Sequence, residues 1–136
     1  MTVAPADTLE GVSPAVAAGV AGVRDQFPGH TVTVTADGNG GLFVVVDDVP
    51  AGPPYTEATT WLGFHINAAY PDSDVYPHFV GPLTRKDEQV HGEGFSATAW
   101  RDRPALQLSR RSNRWSAATD TAALKAVKVL TWLASR

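Results

Sequence analysis

The segment from Gln107 to Ala117, Q-L-S-R-R-S-N-R-W-S-A, gathers most of the groups in this chain that could do chemistry or recognition. Arg110, Arg111 and Arg114 lie within it, and Arg101 and Arg103 lie just upstream. A guanidinium presents a planar fork of N–H donors that matches carboxylate or phosphate oxygens, so such a cluster reads as a docking face for an acidic partner. The plainer alternative is that these arginines are solvated or pair with acidic residues of their own chain. One group is missing altogether. The sequence contains no cysteine, which excludes disulfides, thiolate metal sites and thiol catalysis from this stretch of chain.

Charge is distributed unevenly. Residues 1 to 100 carry twelve acids and three bases (3 − 12 = −9), whereas residues 101 to 136 carry eight bases and two acids (8 − 2 = +6). The sequence pI of about 5.7 is acidic and no recognition motif accompanies the arginines, so the expected partner is a protein and not nucleic acid.

Other constellations are weaker. His65, His78 and His91 recur every thirteen residues, and with Asp72, Asp74 or Glu93 they could be drawn as a zinc site, but no local ligand signature supports it. Ser96 or Ser109 with His91 and Asp102 has the composition of a hydrolytic triad without a nucleophile-elbow motif. The G-N-G-G run from Gly38 lies between two strand patterns, where a turn explains it better than a phosphate loop does. No metal or cofactor is expected.

The elements that must position these groups follow from hydrophobic period. A length of 136 residues fits one domain, with residues 1–12 expected as a flexible tail. Ser13 and Pro14 form a cap and first turn, and Val16, Val20, Val23 and Phe27 predict one amphipathic helix ended by Pro28 and Gly29. The alternating string from His30 and the turn from Asp37 predict a hairpin with Leu42 to Val46. Thr59 to Asn67 reads as a third strand and Tyr76 to Val80 as a short fourth. Two Tyr-Pro pairs, at Tyr70 and Tyr76, hold the connection between these strands extended. Leu83 to Pro104 predicts a long crossover loop with at most a short strand around Phe95 to Trp100. From Asp120 the chain reads as helix, capped by Thr119 or Asp120. Its expected apolar stripe is Ala123, Ala126, Val127, Leu130, Leu133 and Ala134, with Lys125, Lys128 and Trp132 on another face. Trp61 and Trp115 are expected in the core, and Trp132 either packs or serves as a binding anchor.

Phe27 to His30 (F-P-G-H), Tyr70-Pro71, the run from Gln107 to Trp115-Ser116-Ala117 and the helix after it together resemble the ubiquitin-conjugating enzymes, and within them a prokaryotic branch called family E. The resemblance implies an α+β fold with an N-terminal helix, a four-stranded antiparallel meander and a C-terminal helix. It implies that Trp115 packs between the final helix and the sheet. The family carries its catalytic cysteine eight residues before this tryptophan, which falls here on Gln107, and an amide cannot form a thioester. Its His-Pro-Asn motif is also absent, with Ala97 and Thr98 in its place.

The resemblance therefore implies an inactive conjugating-enzyme-like binding module in a bacterial ubiquitin-like modification pathway. Expected partners are a ubiquitin-like protein and an activating or conjugating enzyme. An active enzyme with a mutated or noncanonical site, and a structural or assembly protein reusing the fold, stay open as alternatives. The partner-binding residues expected are Tyr70, Pro71, Arg101, Arg103, Arg110, Arg111, Arg114 and Trp132, with Gln107 at the vestigial catalytic position. Met1 to Glu10 lacks the apolar core of a secretory signal and no apolar run is long enough to span a bilayer, so a cytoplasmic location away from membranes is expected.

Overall fold

The computed structural model describes residues 11–136. Most of the expected tail, residues 1–10, lies outside the described residues, while Val12 already packs against the core. Helix α1 spans Pro14–Gln26, and the Ser13 side chain accepts from the Val16 amide at 3.1 Å. Val16, Val20 and Val23 are buried as their spacing predicts. Each buried valine contributes about 1.5 to 3 kcal/mol against about 1 kcal/mol for the cap, so packing rather than capping holds α1 in place.

Strands β1 (Val32–Ala36), β2 (Leu42–Pro50), β3 (Thr59–Ile66) and β4 (His78–Val80) form the expected antiparallel meander. Asp37 closes the first hairpin, its carboxylate accepting from the Asn39 and Gly41 amides at 2.6 and 2.9 Å. Asp47 and Asp48 interrupt β2 as a bulge, where the register shifts between Val46 and Val49 and Asp48 has φ 59°.

Beyond β4 the structure departs from the expected crossover loop. The short strand expected at Phe95 to Trp100 is present as β5, but it pairs with Arg103–Leu108 (β6) in a second hairpin, and the sheet has six antiparallel strands in the order β1-β2-β3-β4-β6-β5. Arg101 and Asp102 form the turn with φ 49° and 67°, the sign pattern of a type I′ turn that Asn-Gly normally supplies. Pro104 pairs with Ala99 one step past the turn. That position alternates away from the ladder's hydrogen-bonded pairs, so proline costs the strand no donor.

Helix α2 spans Ala122–Ala134, and Thr121, not Thr119 or Asp120, caps it by accepting from the Leu124 amide at 3.1 Å. Its buried face is Ala122, Ala123, Lys125, Ala126, Val129 and Leu133. The helix is thus rotated from the expected stripe. Lys125 turns inward because Asp74 is there to meet it, and Val127 and Leu130 are only partly covered. One face of the sheet joins both helices in a single core through Val34, Leu42, Val44, Leu62, Phe64, Ile66, Val80 and Leu108. Tyr55, from the Pro- and Gly-rich loop after β2, is also buried and donates its hydroxyl to the Leu133 carbonyl at 3.0 Å. No helix among the described residues is long and apolar enough to cross a membrane.

Candidate functional site

The irregular segment between β6 and α2 carries three of the five clustered arginines, and side-chain bonds pin it at three places. The Ser112 amide donates to Asp74 at 2.8 Å, the Trp115 indole donates to the Pro71 carbonyl at 2.7 Å, and the Ser116 amide donates to Asp120 at 2.7 Å. Two of these anchors lie in the Tyr-Pro stretch before β4, so that stretch is the template on which the arginine segment rests. Trp115 consequently sits over Tyr70, ring centres 6.4 Å apart, and only partly buried, instead of being wedged between the final helix and the sheet.

Held this way, Arg110, Arg111 and Arg114 border a hollow of about 380 Å³ together with Ser112, Asn113, Asp120, Lys125, Lys128, Val129 and Trp132. Lys125, Lys128 and Trp132 enter from one face of α2, as their i, i+3, i+7 spacing allows. The cations divide by commitment. Lys125 is 5% exposed and donates to both Asp74 oxygens, at 2.8 and 3.0 Å, and to the Ser112 hydroxyl at 2.9 Å. Burial pushes the Asp74 carboxyl up, but the bonds from Lys125 and Ser112 outweigh it and hold the group below the ordinary carboxylate range. Lys128 is exposed and only 3.8 Å from Asp120, a loose pair.

The arginines are placed differently. Arg110 lies over the Trp132 ring at 5.0 Å and Arg111 over the Tyr76 ring at 4.5 Å. Stacking fixes the plane of a guanidinium while leaving its N–H edge unused. No ion pair engages Arg110, Arg111 or Arg114 among the described residues. With Lys125 cancelled by Asp74, the lining carries four cations against Asp120 (4 − 1 = +3). A lining of this charge favours an anion electrostatically.

The remaining expected site residues lie elsewhere. Arg101 and Arg103 sit at the tip of the β5–β6 hairpin on the outer face of the sheet, over Phe43 at 4.5 Å and over Trp61 at 4.0 Å. The five arginines therefore form two groups separated by the length of β6. Gln107 is a residue of β6, paired with Phe79 on one side and Ser96 on the other, and its side chain shares their outer face. It bonds to Ser109 at 3.3 Å and takes no part in the hollow. Tyr70 is 7% exposed, and its hydroxyl oxygen accepts from the Ala122 amide at 3.1 Å at the start of α2. Tyr70 and Pro71 thus shape the scaffold and border a separate shallow groove along Ala15, Ala18, Gly19 and Gly22 of α1.

Trp132 is half-buried, stacked on Phe95 at 4.9 Å, and walls the hollow through Arg110. Tyr76, in the Tyr70 to Pro77 stretch expected beside the arginines, lies under Arg111; Lys128 was not among the expected site residues, and only its helical spacing to Trp132 carried a signal for it.

The histidines are dispersed. His65 faces outward and bonds Asp37 at 2.7 Å, His91 donates to the Leu83 carbonyl at 2.8 Å, and His78 is fully buried against Phe64. No group of three or more potential metal ligands occurs among the described residues. His91 stacks on Phe95 at the start of β5, whereas Asp102 lies in the turn beyond its far end, so the drawn triad does not assemble. Compared with known protein families, with curated proteins and with solved structures, the chain shows no match.

Proposed function

We propose that this chain is a noncatalytic protein-binding module that captures an acidic segment of its partner in the hollow between the Arg110–Arg114 segment and α2. The observation that carries this reading is the clustering of Arg110, Arg111, Arg114 and Lys128 around one concavity walled by Trp132, with none of the three arginines in an ion pair among the described residues. An arginine and a tryptophan at the centre of a recess are the residue types that dominate protein recognition energetically. The chain has no thiol, and the amide of Gln107 lies within a strand of the sheet. The order of α1, the meander, Tyr70-Pro71, Trp115 and α2 supports placing the module in a ubiquitin-like modification pathway. In that setting the partner is a ubiquitin-like protein or the enzyme that activates or conjugates it.

The test uses the ubiquitin-like protein and activating enzyme encoded by the source genome. The chain should bind one of them without forming a reductant-sensitive adduct in the presence of ATP. The double reversal Arg110→Glu/Arg114→Glu should slow association and flatten its salt dependence while leaving the melting temperature nearly unchanged, because exposed charges contribute only about 0 to 1 kcal/mol to stability. A thioester band would overturn the noncatalytic reading. A destabilised variant with unaltered association would overturn the docking reading.

A further inference from the structure

We infer that the hollow is built for a doubly charged tetrahedral oxyanion, a phosphoryl group on a side chain of the partner protein. The inference rests on the reading of the hollow as the recognition surface and specifies the group that fills it. A carboxylate brings one charge and two oxygens in one plane, and a single guanidinium fork satisfies it. The lining offers more than that. Arg110 is held on Trp132 of α2 and Arg111 on Tyr76 before β4, so the two stacks stand on different elements, with Arg114 in no ion pair among the described residues and Lys128 only loosely paired with Asp120 at 3.8 Å.

A phosphoryl group presents three oxygens that do not share a plane and carries about −1.5 to −2 charges, which suits donors on separate supports and offsets more of the excess of +3 than the single charge of a carboxylate does. The Ser112 bonds to Asp74 and Lys125 fix the backbone at the middle of the arginine run, so the donors are preorganised. The cations surround one recess instead of tracking along a groove. Arg101 and Arg103, the other clustered arginines, lie on a different face. This favours a single phosphoryl group over a nucleic-acid backbone, whose binding requires a row of cations and stacking platforms.

The experiment titrates the whole chain, at fixed ionic strength, with short alanine-based peptides carrying one central phosphoserine, one glutamate or one serine. Inorganic phosphate and a single-stranded oligonucleotide are run in parallel, with calorimetry and the NMR signals of the arginine Nε–H groups as readouts. The phosphoserine peptide should bind more tightly than the glutamate peptide by about tenfold or more, as charge-assisted hydrogen bonds each contribute a tenfold to hundredfold factor. Inorganic phosphate should shift the same arginine signals. Arg110→Gln and Arg114→Gln should each weaken the phosphopeptide about tenfold to a hundredfold, and Arg103→Gln, on the other face, should leave it unchanged.

Equal affinity for the glutamate and phosphoserine peptides would overturn the phosphoryl inference and leave acidic docking standing. Tighter binding of the oligonucleotide than of the phosphopeptide, unaffected by Arg110→Gln, would also overturn it. Failure of both charged peptides to perturb any arginine of the hollow would overturn the docking reading with it.

Discussion

The Lys125 ammonium donates to both oxygens of Asp74 across 51 residues of sequence and so ties α2 to the Tyr-Pro stretch before β4. The same carboxylate receives the Ser112 amide and hydroxyl, at 2.8 and 3.1 Å. One buried ion pair therefore holds three segments that are distant in sequence, and one of them is the arginine run.

Removing one member of this pair leaves the other charged and poorly solvated. Asp74→Leu and Lys125→Met should each lower the unfolding free energy by about 3 kcal/mol, while the two combined should cost clearly less than either single change. Denaturant unfolding of the three variants measures this. If the double variant loses the sum of the two single costs, the pair is not coupled as described.

His78 gives a separate handle through pH. Burial first, and the charge of Lys125 second, hold it down to about 3 from its ordinary 6.5, against a smaller upward pull from Asp74. Below 6.5 the unfolded chain therefore takes up a proton that the folded chain refuses until about 3. Stability is fully present above 6.5 and falls as the pH drops through that interval, by about 1.4 kcal/mol per unit at the steepest. Asp74, whose folded value is depressed, adds its own loss only below the ordinary carboxylate value of 3.8. Glu57, also held below its ordinary 4.5, adds its loss as the pH nears that value, so between about pH 6 and 5.5 the slope is set mainly by His78, and His78→Leu should reduce it strongly. An unchanged slope in that variant would assign the acid sensitivity elsewhere.

Trp115 contributes both a ring and a donor. Trp115→Phe keeps most of the contact with Tyr70 but leaves the Pro71 carbonyl without its 2.7 Å partner, and should cost about 1 kcal/mol. Trp115→Ala should cost about 2 kcal/mol, less than the 3 to 5 typical of a fully enclosed tryptophan, because the ring is only partly covered. Equilibrium unfolding separates the two values, and a loss near 5 kcal/mol for Trp115→Ala would place the ring deeper than described.

On the outer face, Trp100 stacks on Phe79 at 4.9 Å and on Trp61 at 5.8 Å, and its ring lies over Gly63. A Cβ at Gly63 would run into the rings of Trp100 and Trp61. Gly63→Ala should therefore unstack the tryptophan pair and destabilise the fold by about 1 to 3 kcal/mol. Near-ultraviolet circular dichroism reads the pair directly, and a spectrum retained in the variant would mean that the hairpin tip accommodates the methyl group.

The helices and the meander were legible because local pattern and burial agree there, as in Val16, Val20 and Val23 or the alternation of β1. Of the second hairpin only the position of its first strand, Phe95 to Trp100, was legible. Its turn places Arg101 and Asp102 where glycine or asparagine is the usual signal, Pro104 sits inside β6, and Ser96 to Ala99 are exposed on both faces, so no alternation marks β5. The rotation of α2 escaped for a related reason. A lysine reads as an outward residue until a carboxylate remote in sequence is known to face it. Within the hollow, Arg110, Arg111, Arg114 and Trp132 were legible by residue type, whereas the separation of Arg101 and Arg103 follows only from the unseen hairpin. Tyr70 reads as a recognition aromatic in sequence and becomes a core residue once its hydroxyl meets the first turn of α2.

The packing of α1 on α2 and the position of β6 between β4 and β5 also govern when this chain can fold. The inner face of the meander is completed only by a helix near the opposite end of the chain, and β4 acquires its second neighbour only after the β5–β6 hairpin has formed. Loop closure over such separations precedes the contacts that reward it, so folding should be slow for a domain of this size. During synthesis, the core cluster would lack the residues that α2 contributes until 122–134 had left the ribosome. The nascent chain is therefore the state in which this protein is most exposed to aggregation and most in need of a chaperone.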